Sequence, residues 1–434
     1  MDDIFGIILL SLFCYCVSYL EFQKHRTILT PFNMMVYPYT AVAIMINTVG
    51  KYFGFFHVSL NSIIFVIFCL IFFKLGGWFT EKFFYNRDTD RKIVQYDRTE
   101  LESLFNTYKI LFLILAVISI IASIIHFHHS LDEVGGWMYL ASEEFENAYG
   151  KGLLSHVIQL NRPAFTFLCA YYFYSKKKYV LVLLFAMFLS ILAVQLKTHI
   201  ITTFLSGILF SYMIRVIKFN MKKLLIYCLL IFLFFNLSYT IGYSRIGIGQ
   251  VYNEKVQSYL INLFFAYLFG GPIGLSEILG NPLYPLYSTK EMLAVPINIY
   301  NLICGNPQVV DVIIHNWIPI SARYQYFHST NVFTLFGMLY IYIGTYAVLI
   351  YMYLAGVVAY FLKTIAFQKN AYVGFQLAYS FLLSFLTISF FGNFFNQLQI
   401  YHTSFLMILL PFLYQKFRSF LKIVNENIAF NNLS

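Results

Sequence analysis

The chain has 434 residues, of which 60% are hydrophobic and only 11% charged, with a formal net charge of +10. Ordinary soluble domains carry roughly 25% charged residues, so this composition excludes a water-soluble globular fold. The basic residues fall in short clusters between apolar runs rather than along one polar face, which excludes a nucleic-acid binder and points to membrane topology.

The apolar runs are about twenty residues long, the length that crosses roughly 30 Å of hydrocarbon at about 1.5 Å per residue. Stretches such as 110–125 and 224–235 are apolar all round, whereas barrel strands would alternate, so the expected fold is an all-α polytopic membrane protein. The runs predict about eleven transmembrane helices. In chain order they lie near 4–20, 32–50, 58–76, 109–127, 156–175, 180–196, 200–217, 224–243, 338–362, 372–394 and 404–421. The first opens on Met1-Asp2-Asp3 without the basic start of a cleavable signal, and is read as a retained span. Five of the six cysteines fall inside apolar runs and Cys304 in a polar loop, so no disulfide framework or zinc set is legible.

Alternate loops gather most of the 29 Lys and Arg on one side, among them Lys24, Lys82, Arg91, Lys176, Lys222 and Lys416. Short basic loops stay in the cytoplasm, which predicts an N-terminus outside and a C-terminus inside the bacterial cytoplasmic (inner) membrane. All but one of the ten histidines then fall on or near the outer side, with Asp132, Glu133, Glu143, Glu144 and Glu146 in one outer loop. Residues 244–337 form a second, long extracytoplasmic loop within a single membrane domain, 1–434. Loops of such length are usually functional. Inside it, 259–268 is apolar but too short to cross and runs into Gly270-Gly271-Pro272, which suggests a re-entrant or interfacial helix. A second amphipathic piece, 309–318, carries Trp317 and fits an aromatic anchor at headgroup depth.

Several cations are candidates for chemistry. Arg162, in Leu160-Asn161-Arg162-Pro163, falls in the outer part of a span, where a charge is expensive and normally faces a cavity or a counter-charge. The alternative is a helix that starts late and lets Arg162 snorkel to the headgroups. Lys197 and His199 stand at an outer turn between two spans, and Arg245 just beyond the next outgoing one. With Arg323 and His328 near the end of the long loop, they could form a basic pocket for a phosphate or pyrophosphate, or each could meet lipid headgroups separately. His126, His128 and His129 cluster without the i, i+4 spacing of helical zinc sites, and no metal is expected.

Two strings carry a family resemblance. Phe264-Phe265-Ala266-Tyr267-Leu268-Phe269-Gly270-Gly271-Pro272-Ile273 is similar to the Gly-Pro-Ile signature in the long external loop of the Wzy-type polymerases. These join the oligosaccharide repeat units of O-antigen, capsule and exopolysaccharide. His328-Ser329-Thr330-Asn331-Val332-Phe333-Thr334, followed by Tyr342-Ile343-Gly344, is similar to the pattern leading into that family's next span. Where the family often has Gly-Ser-Arg, this chain has Lys197-Thr198-His199.

The resemblance implies a metal-independent membrane glycosyltransferase with a GT-C-like bundle and no cofactor. It also implies a donor glycan on undecaprenyl pyrophosphate, acting in the bilayer beside a flippase and a chain-length regulator. Under it, Arg245, Arg323 and Lys197, with Arg162 and His199, would hold the pyrophosphate. His328, or failing it Glu277, would take the acceptor proton. Asn331 would orient substrate or cap the next helix. A flippase or transporter of lipid-linked oligosaccharide and an O-antigen ligase are the alternative functions. A transporter usually shows repeated halves, and none is legible here.

Overall fold

The computed structural model of the chain describes residues 2–84, 96–137, 143–150, 152–193, 197–218, 233, 254–281, 289–306, 308–310, 317–322, 329–368 and 371–431. Its helices are α1 (Asp2–His25), α2 (Pro31–Thr48), α3 (Leu60–Phe84), α4 (Arg98–Val134), α5 (Glu143–Tyr149), α6 (Gly152–Ile158) and α7 (Asn161–Ser175). They continue with α8 (Lys178–Ala193), α9 (Lys197–Met213), α10 (Glu254–Gly280), α11 (Ala294–Ile303), α12 (Leu335–Ala366), α13 (Val373–Thr387) and α14 (Leu398–Asn431). Two short strands, β1 (Ile318–Pro319) and β2 (Ser329–Thr330), pair antiparallel with Ile318 opposite Thr330, and an isolated bridge joins Phe55 and Ser321. Among the described residues five helices are long and apolar enough to cross a membrane: α1, α3, α4, α10 and α12. The protein is therefore an all-α, membrane-embedded chain.

The helix boundaries differ from the sequence reading in instructive places. The apolar stretch 259–268 does not stop at its glycines: α10 runs unbroken through Gly270, Gly271 and Pro272 to Gly280. Tertiary packing against those glycines overrides their weak helix propensity. The expected span 156–175 is instead two helices, α6 and α7, with a break at 159–160. The run 372–394 ends as helix at Thr387, and an irregular segment continues to Gln397. α12 is kinked at Gly344, whose φ of 72° and ψ of 175° lie in a region that only glycine adopts without strain. The expected span 224–243 lies outside the described residues apart from Leu233, as does most of the 309–318 piece; Trp317 at its end is exposed.

The chain divides into two compact units, each taking three separate segments. The first comprises Met1–Ile93, Phe219–Thr364 and Leu383–Ile400. Here Thr30 caps α2, its hydroxyl accepting the Asn33 N–H at 3.3 Å, and Pro31 takes a first-turn position where its missing N–H costs nothing. α3 and α12 approach through glycines. A Cβ on Gly76 would meet the Tyr353 carbonyl, one on Gly356 the Phe73 carbonyl, and Thr80 donates across the interface to the Val357 carbonyl at 3.0 Å. Close backbone approach at small residues, with an interhelical hydrogen bond, is how helices adhere in lipid.

The second unit comprises Val94–Lys218, Ile365–Leu382 and Tyr401–Ser434. Its long helix α4 begins at a reciprocal capping box: Asp97 accepts the Glu100 N–H at 2.7 Å and Glu100 accepts the Asp97 N–H at 2.9 Å. The helix spans about 55 Å, more than a bilayer core needs. It packs against α5 to α8, with the Phe112 and Phe167 rings stacked at 4.2 Å. His126 turns inward, its Nε2 2.9 Å from the Tyr149 carbonyl, while His128 and His129 are exposed; the three do not converge.

Candidate functional site

The second unit buries two basic side chains, Arg162 and His199. α7 and α9 run side by side in the same direction, joined by a 2.7 Å hydrogen bond between Thr166 and Ser206 and by close packing of Cys169 on Gly207. One turn before Thr166 lies Arg162; two turns before Ser206 lies His199. Both side chains are only 4% exposed. Arg162 Nη1 and His199 Nδ1 have no hydrogen-bond partner, and no carboxylate is paired with Arg162 among the described residues. The charge of Arg162 reaches His199 and also His402, near the start of α14, whose ring lies 5.5 Å from that of His156. Arg162 and His199 sit in the first turns of their helices, and the Arg162 N–H donates to the Gln159 carbonyl at 3.2 Å. Burying an uncompensated ion costs several kcal/mol.

In the first unit, the two strings that carry the family resemblance pack against each other. A Cβ at Gly270 would lie 2.8 Å from Thr330 Oγ1, and one at Gly274 would lie 2.9 Å from the Phe333 ring, so both close approaches require glycine. A Cβ at Gly271 would run into the Phe390 carbonyl, which brings in a third piece, the irregular segment 388–397. That segment is pinned by the Leu335 N–H donating to the Ser389 carbonyl at 2.8 Å. Ile278, Ile318, Phe333, Met338, Ile341 and Tyr342 form the apolar core behind this junction. Glu277, half-buried on α10, feels the charge of exposed His57. The start of α12 is capped not by Asn331 but by Thr334, whose hydroxyl accepts the Gly337 N–H at 3.0 Å. Asn331 is half-buried beside it.

A third polar feature, missed by the sequence reading, joins α1, α3 and α12 within the first unit. Glu81 Oε1 accepts from His25 Nε2 at 2.7 Å and Lys363 Nζ at 3.2 Å, and its Oε2 from Lys24 Nζ at 2.6 Å. Glu21 pairs with Lys74 and accepts the Tyr360 hydroxyl at 2.7 Å. Both carboxylates are buried. Glu21, His25 and Glu81 bring ligand atoms within 4.8 Å of one another, a spacing a metal ion could use. Ammonium groups already occupy those carboxylate oxygens, so a divalent cation would first have to displace them; the arrangement is an ion-paired network. The i, i+4 pair Glu21/His25 and the i, i+7 pair Lys74/Glu81 on apolar helices were the available signal.

Of the residues singled out in the sequence, the structure thus brings Arg162 and His199 together in the second unit, with His402 and His156 added. Glu277 and Asn331 belong to the first unit. Lys197 opens α9, but its side chain lies outside the described residues, as do Arg245, Arg323 and His328 altogether.

The fold is that of an all-α, membrane-embedded protein, and its second unit buries an arginine with no carboxylate partner among the described residues. The chain belongs to a family of unknown function, DUF6337, whose model matches residues 54–420. No curated protein and no solved structure matches the sequence.

Proposed function

We propose that this protein is a membrane glycosyltransferase that joins undecaprenyl-pyrophosphate-linked oligosaccharide repeat units into a surface polysaccharide, as the Wzy-type polymerases do. In this reading it is a GT-C-like bundle of about eleven spans that acts on the outer face of the bacterial cytoplasmic membrane. The observation that carries the proposal is the buried Arg162, which has no carboxylate partner among the described residues and sits with His199 at two helix N-termini. A lipid-borne pyrophosphate supplies the missing negative charge.

The chemistry assigns that charge a role. An acceptor sugar hydroxyl attacks the anomeric carbon of the donor, the new C–O bond forms as the bond to the phosphate oxygen breaks, and the pyrophosphate departs with its lipid. Negative charge accumulates on the departing oxygen, and a guanidinium held in place beforehand stabilises it without reorganisation. The acceptor hydroxyl must also lose a proton to a general base. The packing of both family-like strings on one another supports the same reading, because residues of one site have to meet in space.

The test is a deletion of the gene complemented by wild type or Arg162→Met, with the surface glycan displayed by size. A polymerase gives a ladder of chain lengths; its loss leaves single repeat units on the acceptor. A flippase would instead leave lipid-linked units on the cytoplasmic side, and a ligase would leave long chains still on the lipid. Either outcome refutes the proposal.

A further inference from the structure

The irregular segment 388–397 of the first unit concentrates unmet polar capacity. Asn393 and Asn396 are each 3% exposed. Asn393 Nδ2, both amide atoms of Asn396 and Ser389 Oγ are buried without a hydrogen-bond partner, four atoms in eight residues. Each such atom costs about 1–3 kcal/mol if nothing meets it. The backbone of the segment is held all the same. The Asn393 N–H approaches Met338 Sδ at 3.2 Å and Asn393 Oδ1 accepts the Phe395 N–H at 3.0 Å, so the amides are fixed in place rather than frayed.

The chemistry of the segment is specific. It contains no charged side chain, so neither an anion nor a cation is favoured over a neutral ligand. A carboxamide offers a donor and an acceptor side by side, which matches adjacent hydroxyls that each donate and accept. Aromatic rings belong to the same junction: Phe391 is stacked with Tyr267 at 6.0 Å and with Phe394 at 6.3 Å, and Tyr267 belongs to the Gly-Gly-Pro string. Paired amides and hydroxyls beside flat apolar rings suit a ligand that alternates hydroxyl groups with C–H faces, as a sugar ring does.

We propose that Ser389, Asn393 and Asn396 form a carbohydrate subsite that binds the neutral, hydroxyl-bearing part of a lipid-linked glycan. This rests on the polymerase reading and adds the residues that recognise the sugar rather than the phosphate.

The experiment uses the purified full-length chain in detergent with two probes: lipid-linked repeat units extracted from the host, and sugar-free undecaprenyl pyrophosphate. Asn393→Leu and Asn396→Leu keep the branching of the side chain but remove the amide. Each is expected to weaken binding of the lipid-linked repeat unit about tenfold or more and to leave undecaprenyl pyrophosphate binding unchanged. Wild-type affinity for both probes, together with a raised melting temperature, overturns the subsite and marks the amides as merely costly buried groups. Should a Leu variant not fold, Asn396→Ser serves, with the same loss expected and the same unchanged affinity overturning the idea. Wild-type protein that binds neither probe sinks the polymerase reading and the subsite with it.

Discussion

Glu81 in the first unit and Arg162 in the second are nearly equally buried, yet their surroundings are opposite. Glu81 is met by His25, Lys24 and Lys363, contributed by two other helices, and every oxygen has a donor. Arg162 is met by no carboxylate among the described residues, and neither its Nη1 nor Nδ1 of His199 has a hydrogen-bond partner. In a low-dielectric interior the paired arrangement is self-consistent and holds helices together. The unpaired one carries a desolvation cost that no carboxylate among the described residues offsets. Burial of charge alone therefore does not single out a candidate site; burial without a partner does.

This contrast can be broken by substitution. The largest effect is expected for Glu81→Ala, which strands Lys363 and His25 and should cost about 3–5 kcal/mol. Thermal unfolding of the detergent-solubilised variant measures it, and a loss under 1 kcal/mol would show that the network does not hold the helices. Arg162→Met should behave in the reverse way. Its stability should equal or exceed wild type, because an apolar side chain replaces an uncompensated ion, while polymer formation falls about 100- to 1000-fold. Loss of stability comparable with Glu81→Ala would erase the distinction between the two sites.

A smaller effect separates backbone from charge. Gly344→Ala forces a side chain into φ 72°, ψ 175° with no neighbouring atom to clash, so the cost is conformational only, about 1–3 kcal/mol. An unchanged melting temperature would mean that the kink relaxes into helix. The smallest effect is expected at the fully exposed cap of α4. Hydrogen bonds from Thr99 and the Glu100 N–H hold the Asp97 carboxyl below its ordinary range. A depressed acid contributes its stabilisation fully above the unfolded value near 3.9 and loses it as pH falls through the lower folded value. Amide exchange of residues 98–101 should therefore quicken only under acid conditions, whereas Asp97→Ala should quicken it at neutral pH. Equal exchange in variant and wild type would show the cap to be dispensable.

Much of the fold was legible because hydrophobic length is a local property. The runs at 58–76, 109–127 and 338–362 became α3, α4 and α12, and the cost of Arg162 in an apolar setting was visible from its neighbours alone. The early stop assigned after Leu268 was not borne out, because glycine and proline report local propensity and α10 is held straight by Thr330, Phe333 and the Phe390 carbonyl. Asn331 looked like the cap of the next helix, but the chain places Thr334 there.

By itself the sequence determined a helical chain built for the bilayer, with basic residues gathered between its apolar runs, since transfer into hydrocarbon depends on composition summed over about twenty consecutive residues. Which charges find partners was decided only by the tertiary structure. Lys363 and Glu81 are 282 positions apart and meet at 3.2 Å, while Arg162 and His199 come together only because α7 and α9 pack side by side. Coulombic pairing acts over a few ångströms of space, and no linear pattern encodes that distance.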